Sequence, residues 1–182
     1  SRRRQTPPRT ASLDRMSADD GDCEAYNETM LPRFHCDPAT HPLAAGRTLS
    51  LPDEAAHHAA RVLRLRAGDA VVLFDGSGGE YSAHVVDAGK DFRVTLETFY
   101  DRDCEAPLPV TLVQALPGSD KMDWIVQKAV ELGAAAIQPV QTKRSVVRLA
   151  GDRAEKRVAH WRQVAVSACE QSGRNRIPEI HG

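Results

Sequence analysis

VTLVQALPGSDKMDWIVQKAVELGAAAIQPV, residues 110–140, is the stretch of sequence that decides the fold class. It begins with a nearly all-apolar run, residues 110–116, which is typical of a buried strand in a parallel sheet. Residues 120–132 follow with apolar side chains at helical spacing, and Gly133 is placed to end that helix. A second apolar strand, residues 135–140, completes a strand–helix–strand unit.

A second helix is predicted on the carboxyl side of this unit. Asp152 can cap it, Gly173 can end it, and apolar residues recur at helical spacing between Val158 and Ala168. The order strand, helix, strand, helix predicts a parallel α/β sheet with right-handed connections. Two strands are too few for a stable open sheet, so residues 110–182 are predicted to be the first part of a larger α/β domain.

On the amino side, residues 30–102 are predicted to form a small β-barrel, which makes the whole an α+β protein of two domains. Four short segments have the pattern of strands, and one helix is predicted from Asp53 to Leu65. The glycine-rich turn Asp75–Gly79 indicates a hairpin. Acidic residues and prolines in 103–109 indicate a linker. The predicted strands are residues 47–51, 70–74, 80–86 and 92–97.

Residues 1–29 differ in composition from the rest of the chain. They contain an arginine run at Arg2–Arg4 and an acidic run at Asp19–Asp22, with almost no apolar periodicity. Such a segment cannot bury enough apolar surface to offset the entropy lost on ordering. We predict that it is a disordered extension and that the folded part begins near Met30.

The composition is that of a globular protein from a reducing compartment. Hydrophobic residues make up 41% and charged residues 27% of the chain. No apolar run approaches the ~20 residues that a membrane helix needs. The four cysteines are scattered without metal-ligand spacing, which predicts reduced thiols, no metal site and a cytoplasmic location. The net charge of −1 gives no argument for a nucleic-acid partner, although residues 140–182 are basic.

Basic side chains recur within the helix predicted in the barrel segment. His57, Arg61 and Arg64 have the spacing i, i+4, i+7, which places them on one face of a regular helix, and His58 lies three residues before Arg61. Two arginines and a histidine on one face can grip phosphates or stack on bases. The alternative is an exposed basic face without a ligand.

Two polar segments of the α/β part are candidates for chemistry. Arg144 follows the second parallel strand, and the carboxyl ends of such strands are where ligands bind in open α/β sheets. Glu170, Gln171 and Arg174 lie together where the last helix is predicted to end. We expect this turn and Arg144 to lie at the same edge of the sheet. The alternatives are a loop arginine without a ligand and simple helix termination.

Taken together, nine blocks of this sequence resemble the bacterial 16S ribosomal RNA uracil-N3 methyltransferase family known as RsmE. The resemblance runs from about Met30 to Gly182, and the segments Asp120–Asp123 and Cys169–Arg174 within it are specific enough to make chance agreement remote. The blocks are Pro32–Phe34, His57–Arg64, Gly68–Asp69, Phe74–Gly76, Gly118–Gly133, Lys143–Val147, Lys156–Arg157, His160–Trp161 and Ala168–Asn175.

The resemblance implies an N-terminal PUA-like barrel that binds RNA. It also implies a C-terminal domain of the SPOUT class, whose trefoil knot holds S-adenosylmethionine and whose members act as homodimers. The family's Gly-Pro-Glu-Gly-Gly and Leu-Gly-x-Arg segments, which form the knot and the donor pocket, are absent from these 182 residues. We therefore expect the donor pocket in a missing C-terminal segment, no cofactor-binding residue in this chain, and no activity of the chain by itself.

The implied activity is methylation of N3 of uridine 1498 in 16S rRNA of the small ribosomal subunit. Because N3 carries a proton and lies on the pairing edge, the base must be unpaired and the proton removed or polarised. An alternative is a non-catalytic RNA-binding module from a degenerate enzyme, and another is a SPOUT enzyme for a different RNA. The candidates to line the catalytic site are Arg144, Glu170, Gln171 and Arg174, and those for RNA contact are Arg33, His58, Arg61 and Arg64.

Overall fold

The computed structural model describes residues 31–118, 121–143, 145 and 150–182. The predicted disordered extension, residues 1–29, lies outside the described residues, and so does Arg144. The contacts of Pro32–Gly182 place both sheets of the molecule in one unit. The division into two domains at residues 103–109 stays a prediction.

The first sheet has five strands in the spatial order β1-β3-β4-β5-β2. All four predicted strands are present, and β1 was missed because three residues are too few to show alternation. β1 runs parallel to β3, and the other pairs are antiparallel. The strands are β1 (Arg33–His35), β2 (Thr48–Ser50), β3 (Ala70–Phe74), β4 (Glu80–Asp87) and β5 (Arg93–Tyr100).

This sheet curls around its own core as a half-barrel. Alternate residues of β3 and β4, such as Val71, Leu73, Ala83 and Val85, are almost fully buried, as the two-residue period of a strand requires. Two register shifts between β4 and β5 bend the pair. Among the described residues β1 and β2 remain its edges, so the predicted barrel is an open, curled sheet.

One helix connects β2 to β3, as predicted, but it is not regular. It begins as α1 (Asp53–His57) and continues as a π-helical turn, His58–Val62. In that turn the N–H of Leu63 donates to the carbonyl of His58, five residues back, at 3.0 Å. The helix therefore ends before Leu65 and winds more widely than a regular α-helix.

The second sheet has three parallel strands in the order β6-β7-β8. The predicted helices are confirmed as α2 (Lys121–Glu131) and α3 (Asp152–Ser172), although Asp152 is the first helical residue and not the cap. Gly173 ends α3 with a left-handed backbone, φ 80°. The strands are β6 (Thr111–Ala115), β7 (Ala136–Val140) and β8 (Glu179–Ile180), and β8 was too short to predict.

Within the described residues α2 and α3 cover only one face of this sheet. Leu112, Ile137 and Ile180 lie in register across the strands and pack in one core with Val126 of α2 and Trp161 of α3. On the opposite face Val113 of β6 is 63% exposed. β6 was predicted to be a buried strand, but it is buried on one face only, because none of the described residues packs on its outer face.

The three cysteines within the described residues are all free. Burial raises the pKa of the Cys36 thiol to about 12 and that of the Cys169 thiol to about 11, which makes both poor nucleophiles. None of the helices in the described ranges combines the length and apolar character needed to cross a membrane.

Candidate functional site

A basic cleft of about 600 Å³ lies between the α1 helix and the turn that joins β4 to β5. His57 and Arg61 line it from the helix, and Lys90 lines it from the turn. Asp53 is the carboxylate among the described lining residues, and Phe92 forms part of the wall. Two permanent positive charges and an imidazole facing one cleft are suited to phosphate groups.

The π-helical turn decides which basic residues reach this cleft. The spacing i, i+4, i+7 puts three side chains on one face only if the helix is regular throughout. Here His57 and Arg61 do line the same cleft, whereas Arg64 lies beyond the end of the helix with φ 55°. The structure therefore brings two of the three predicted residues together and leaves Arg64 exposed outside the lining of the cleft.

Lys90 was missed by sequence reasoning because it belongs to a different element, 29 positions after Arg61 in the chain. The Asp87 carboxylate accepts the backbone N–H of Gly89 at 2.9 Å and a guanidinium N–H of Arg93 at 3.2 Å. These two bonds hold the pKa of Asp87 below its ordinary value. They also fix the β4–β5 turn, and with it the position of Lys90 beside the helix.

Arg33 is not on the surface, although it was a candidate for RNA contact. Its side chain is 8% exposed, and it donates to the Glu80 carboxylate at 2.6 Å and to the side-chain oxygen of Asn175. The guanidinium carbon lies 5.2 Å from the centre of the Phe74 ring. Since its charge is already paired inside the protein, the burial argues against direct RNA contact by Arg33.

Arg174, a candidate for catalysis, is also buried, with 5% of its surface exposed. One guanidinium nitrogen donates to the carbonyls of Val130 and Ala134 at 2.9 and 3.0 Å. The other two donate to the two carboxylate oxygens of Glu105, one of them at 3.1 Å. All three nitrogens are thus engaged in holding the segment before β7 to residue 105, which assigns Arg174 a structural role.

Glu170 faces the first sheet. Its carboxylate accepts the backbone N–H of His35 in β1 at 2.9 Å. Burial raises the pKa of Glu170, and it lowers the pKa of the His35 imidazole, whose Nε2 lies 3.3 Å from the carbonyl oxygen of Asp75. His58, an RNA candidate, lies on this side of the helix, with its ring edge-on to Phe34 and near Glu170.

The expectation that the Glu170–Arg174 turn shares an edge with the carboxyl end of β7 is wrong. β8 runs parallel to β7, with Glu179 opposite Ala136, so the chain must return to the amino edge before β8 begins. Arg174 accordingly contacts Ala134, just before β7 starts, whereas β7 ends at Val140. The crossover of a parallel unit always brings its helix back to that edge.

Gln171, the remaining described catalytic candidate, lies in a groove between α2 and α3. This groove, which we call the amide groove, has a volume of about 400 Å³ and is lined by Gln127, Gln163 and Gln171, with Glu54 of α1 beside them. Sequence reasoning missed the other two glutamines. The spacing of Gln163 and Gln171, i and i+8 on one helix, was the available signal.

Two family models match separate stretches of the chain. A model described as an RNA methyltransferase PUA domain matches residues 51–94, which include His57, Arg61 and Lys90 of the basic cleft. A model described as an RNA methyltransferase domain matches residues 104–182, which include β6, β7, β8 and both long helices.

Individual relatives are also RNA methyltransferases. The ribosomal RNA small subunit methyltransferase E of Bacillus subtilis is 35% identical over 134 residues, which are 73% of this chain and 52% of the relative. That of Mycobacterium bovis is 39% identical over 126 residues, 69% of this chain and 48% of the relative. The chain thus spans about half the length of the curated relatives that it matches.

Solved structures agree with these sequence matches. A ribosomal RNA small subunit methyltransferase E of Neisseria gonorrhoeae, solved with bound S-adenosyl methionine, is 41% identical with a TM-score of 0.76; the match covers 84% of this chain and 62% of that one. A methyltransferase of Legionella pneumophila in complex with the same cofactor is 31% identical with a TM-score of 0.78, at the same coverage. The chain belongs to the ribosomal RNA small subunit methyltransferase E (RsmE) family.

Proposed function

We propose that this chain is the RNA-binding part and the beginning of the catalytic part of an S-adenosylmethionine-dependent methyltransferase. The proposed substrate is N3 of uridine 1498 in the 16S rRNA of the small ribosomal subunit, and the proposed working form is a cytoplasmic homodimer. The observation that carries the proposal is the basic cleft, because its three basic residues lie within the part that matches an RNA methyltransferase PUA domain. The names of the relatives support the RNA, and the bound cofactor of two of them supports the methyl donor.

The described clefts do not suit the methyl donor. S-adenosylmethionine carries a positively charged sulfonium, and the basic cleft would repel it through Arg61 and Lys90. In the amide groove the apolar lining among the described residues is limited to Val164 and Ala168, which can take the face of one flat ring but do not enclose a ligand as large as the whole donor. We therefore propose that the donor is held outside the residues described here, in the portion of the family's length that lies beyond Gly182.

The residues of this chain would bind and orient the RNA. Uracil N3 lies on the pairing edge, so the target nucleotide has to be single-stranded or turned out of a helix before it reacts. Arg61, Lys90 and His57 would hold the phosphates of that strand, and the exposed Arg64, three residues after Arg61, would extend the contact, whereas His58 faces Phe34 on the other side of the helix. Arg144, Glu170 and Gln171 stay proposals for the catalytic side.

A second candidate function is RNA binding without catalysis. The specific observation in its favour is that all three basic residues of the cleft lie in the part that matches the PUA-domain model and outside the part that matches the methyltransferase-domain model. Both functions require RNA to bind, so RNA binding by itself does not separate them, whereas methyl transfer does.

Methyl transfer is tested with two proteins, the 182-residue chain and a chimera that continues it after Gly182 with the corresponding C-terminal part of the Bacillus subtilis relative. Each is incubated with 16S rRNA and labelled S-adenosylmethionine. We expect label only with the chimera, together with a reverse-transcription stop next to uridine 1498, because an N3-methyl group blocks the pairing edge. A folded chimera that binds RNA without transferring label would favour the non-catalytic function, and a stop elsewhere would identify a different target.

The basic cleft makes a separate prediction about salt dependence. For a single-stranded RNA, each lost phosphate contact lowers the slope of log affinity against log salt by about 0.7. We expect that decrease for Arg61→Ala and for Lys90→Ala, measured by fluorescence anisotropy over a salt series. Arg47→Ala is the matched control, since Arg47 is an exposed arginine of the same half of the chain that does not line the cleft. Equal slopes in wild type and all three variants would mean that the basic cleft is an exposed basic face that does not bind the RNA backbone.

A further inference from the structure

The amide groove has a chemistry that phosphate binding does not explain. Gln127, Gln163, Gln171 and Ser167 line it, and they are all uncharged. Within its described lining there is no lysine or arginine, and Glu54 adds a carboxylate. A phosphate placed here would meet a negative charge without a permanent positive one, so the groove does not suit the RNA backbone.

The polar side chains of the groove form an ordered set. Gln163, Ser167 and Gln171 follow each other at intervals of four along α3, which places them in one row, and Gln127 comes from α2. Each glutamine presents an N–H donor and a carbonyl acceptor side by side. The pairing edge of a nucleobase carries the same neighbouring donors and acceptors, so the match is to a base and not to a phosphate.

The groove also has an apolar part. Ala168 is almost fully buried and Val164 packs partly against the core that α3 shares with the second sheet. Both line the groove between its polar residues. A flat aromatic ring can therefore pack against the wall while its edge reaches the amides.

The His160 imidazole, which lines the groove, is held in position by a hydrogen bond to Asp123. Nε2 of His160 lies 2.8 Å from a carboxylate oxygen of Asp123, and the other oxygen of that carboxylate accepts the indole N–H of Trp161 at 3.0 Å. Trp161 is only 3% exposed, so the carboxylate is anchored to the core and in turn fixes the imidazole. An oriented imidazole in the lining offers a flat face on which a base can stack.

We infer that the amide groove binds the base of an unpaired nucleotide of the RNA, with its glutamines hydrogen-bonded to the pairing edge of that base. The inference rests on the proposed function, which makes RNA the substrate. The base held here is a neighbour of the methylated one, because an N3 engaged by an amide is not free to react. Asp53 lines the basic cleft and the adjacent Glu54 lines the groove, so a single strand can cross α1 with its phosphates on one side and this base on the other.

The test compares two ligands that differ only in their bases. A short oligouridylate and an abasic ribose-phosphate strand of equal length are titrated by fluorescence anisotropy into the chain and into a Gln127→Ala/Gln163→Ala/Gln171→Ala variant. Wild type is expected to prefer the oligouridylate. The variant is expected to lose about fivefold or more of that preference, the effect of losing one good base contact. Its affinity for the abasic strand and its salt dependence are expected to stay unchanged, because no charge is removed.

Two control variants make the result specific. Lys156→Ala removes an exposed side chain of α3 that does not line the groove, and it should leave the base preference intact. Arg61→Ala should lower the salt slope and leave the base preference intact. A normally melting triple variant that keeps the full preference, or a wild type without any preference, overturns the inference. If either result occurs while Arg61→Ala still lowers the salt slope, the groove inference is wrong but the proposed RNA binding is supported. If wild type binds neither strand, the groove inference and the proposed RNA binding are both wrong.

Discussion

Replacing Arg174 by alanine is expected to lower the free energy of unfolding by about 3–5 kcal/mol, the usual cost of removing one partner of a buried ion pair. The Glu105 side chain is only 17% exposed and would lose its bidentate partner. The carbonyls of Val130 and Ala134 would lose their donor at the same time. Arg174→Lys should recover only part of the loss, since one ammonium cannot reach both the carboxylate and the two carbonyls with the geometry of a guanidinium.

Urea unfolding followed by circular dichroism measures this loss. Arg176→Ala is the control, because Arg176 lies two residues further on, is 53% exposed at its side chain and pairs with Asp103 at 3.7 Å. Exposed pairs of this kind contribute at most about 1 kcal/mol. If the free energy of unfolding of Arg174→Ala equals that of wild type, Arg174 is not a structural residue, and a role in catalysis is again the better interpretation.

The pair of Arg33 and Glu80 is expected to show the second largest effect. Glu80→Ala leaves the guanidinium buried beside Phe74 with Asn175 as its described partner, and we expect a loss of about 3–5 kcal/mol. Arg33→Ala should cost less, because Arg102 lies 3.7 Å from the other oxygen of Glu80 and can remain its counter-charge.

A double-mutant cycle on Arg33 and Glu80 separates the interaction energy of the pair from the cost of removing each side chain alone. The double alanine variant is expected to be more stable than the sum of the two single losses predicts, by about 0.5–3 kcal/mol. The exposed pair of Lys128 and Glu131, at 2.6 Å, is the matched control, and its coupling should not exceed about 0.5 kcal/mol. Strictly additive losses for Arg33 and Glu80 would contradict the buried pair.

The contrast between these two arginines and Arg61 marks the limit of the sequence argument. Strands such as β3 and helices such as α3 were predicted because their apolar periods are local. Arg33 pairs with a residue 47 positions away and Arg174 with one 69 positions away, and no local pattern announces such partners. Arg33 was therefore predicted to contact RNA and Arg174 to take part in catalysis, although the fold buries both side chains.

The same limit explains what was missed in the site. Lys90 faces the basic cleft only because β4 and β5 pair, and the glutamines meet only because α2 packs on α3. The regular spacing of His57, Arg61 and Arg64 was visible in the sequence, but the π-helical turn that interrupts it was not. The Glu170–Arg174 turn lies at the amino edge of the second sheet because the chain returns there before β8, and β8, with two residues, was too short to predict.

The polar links between the two sheets have a consequence for how a target would be chosen. Arg33 joins β1 to Asn175, and Glu170 joins α3 to His35, so the segment after β7 and the curled sheet are tied at two places. An RNA strand bound at the basic cleft would then lie at a fixed distance from the second sheet. The nucleotide that reaches the reaction centre would then be set by its distance along the strand from the basic cleft.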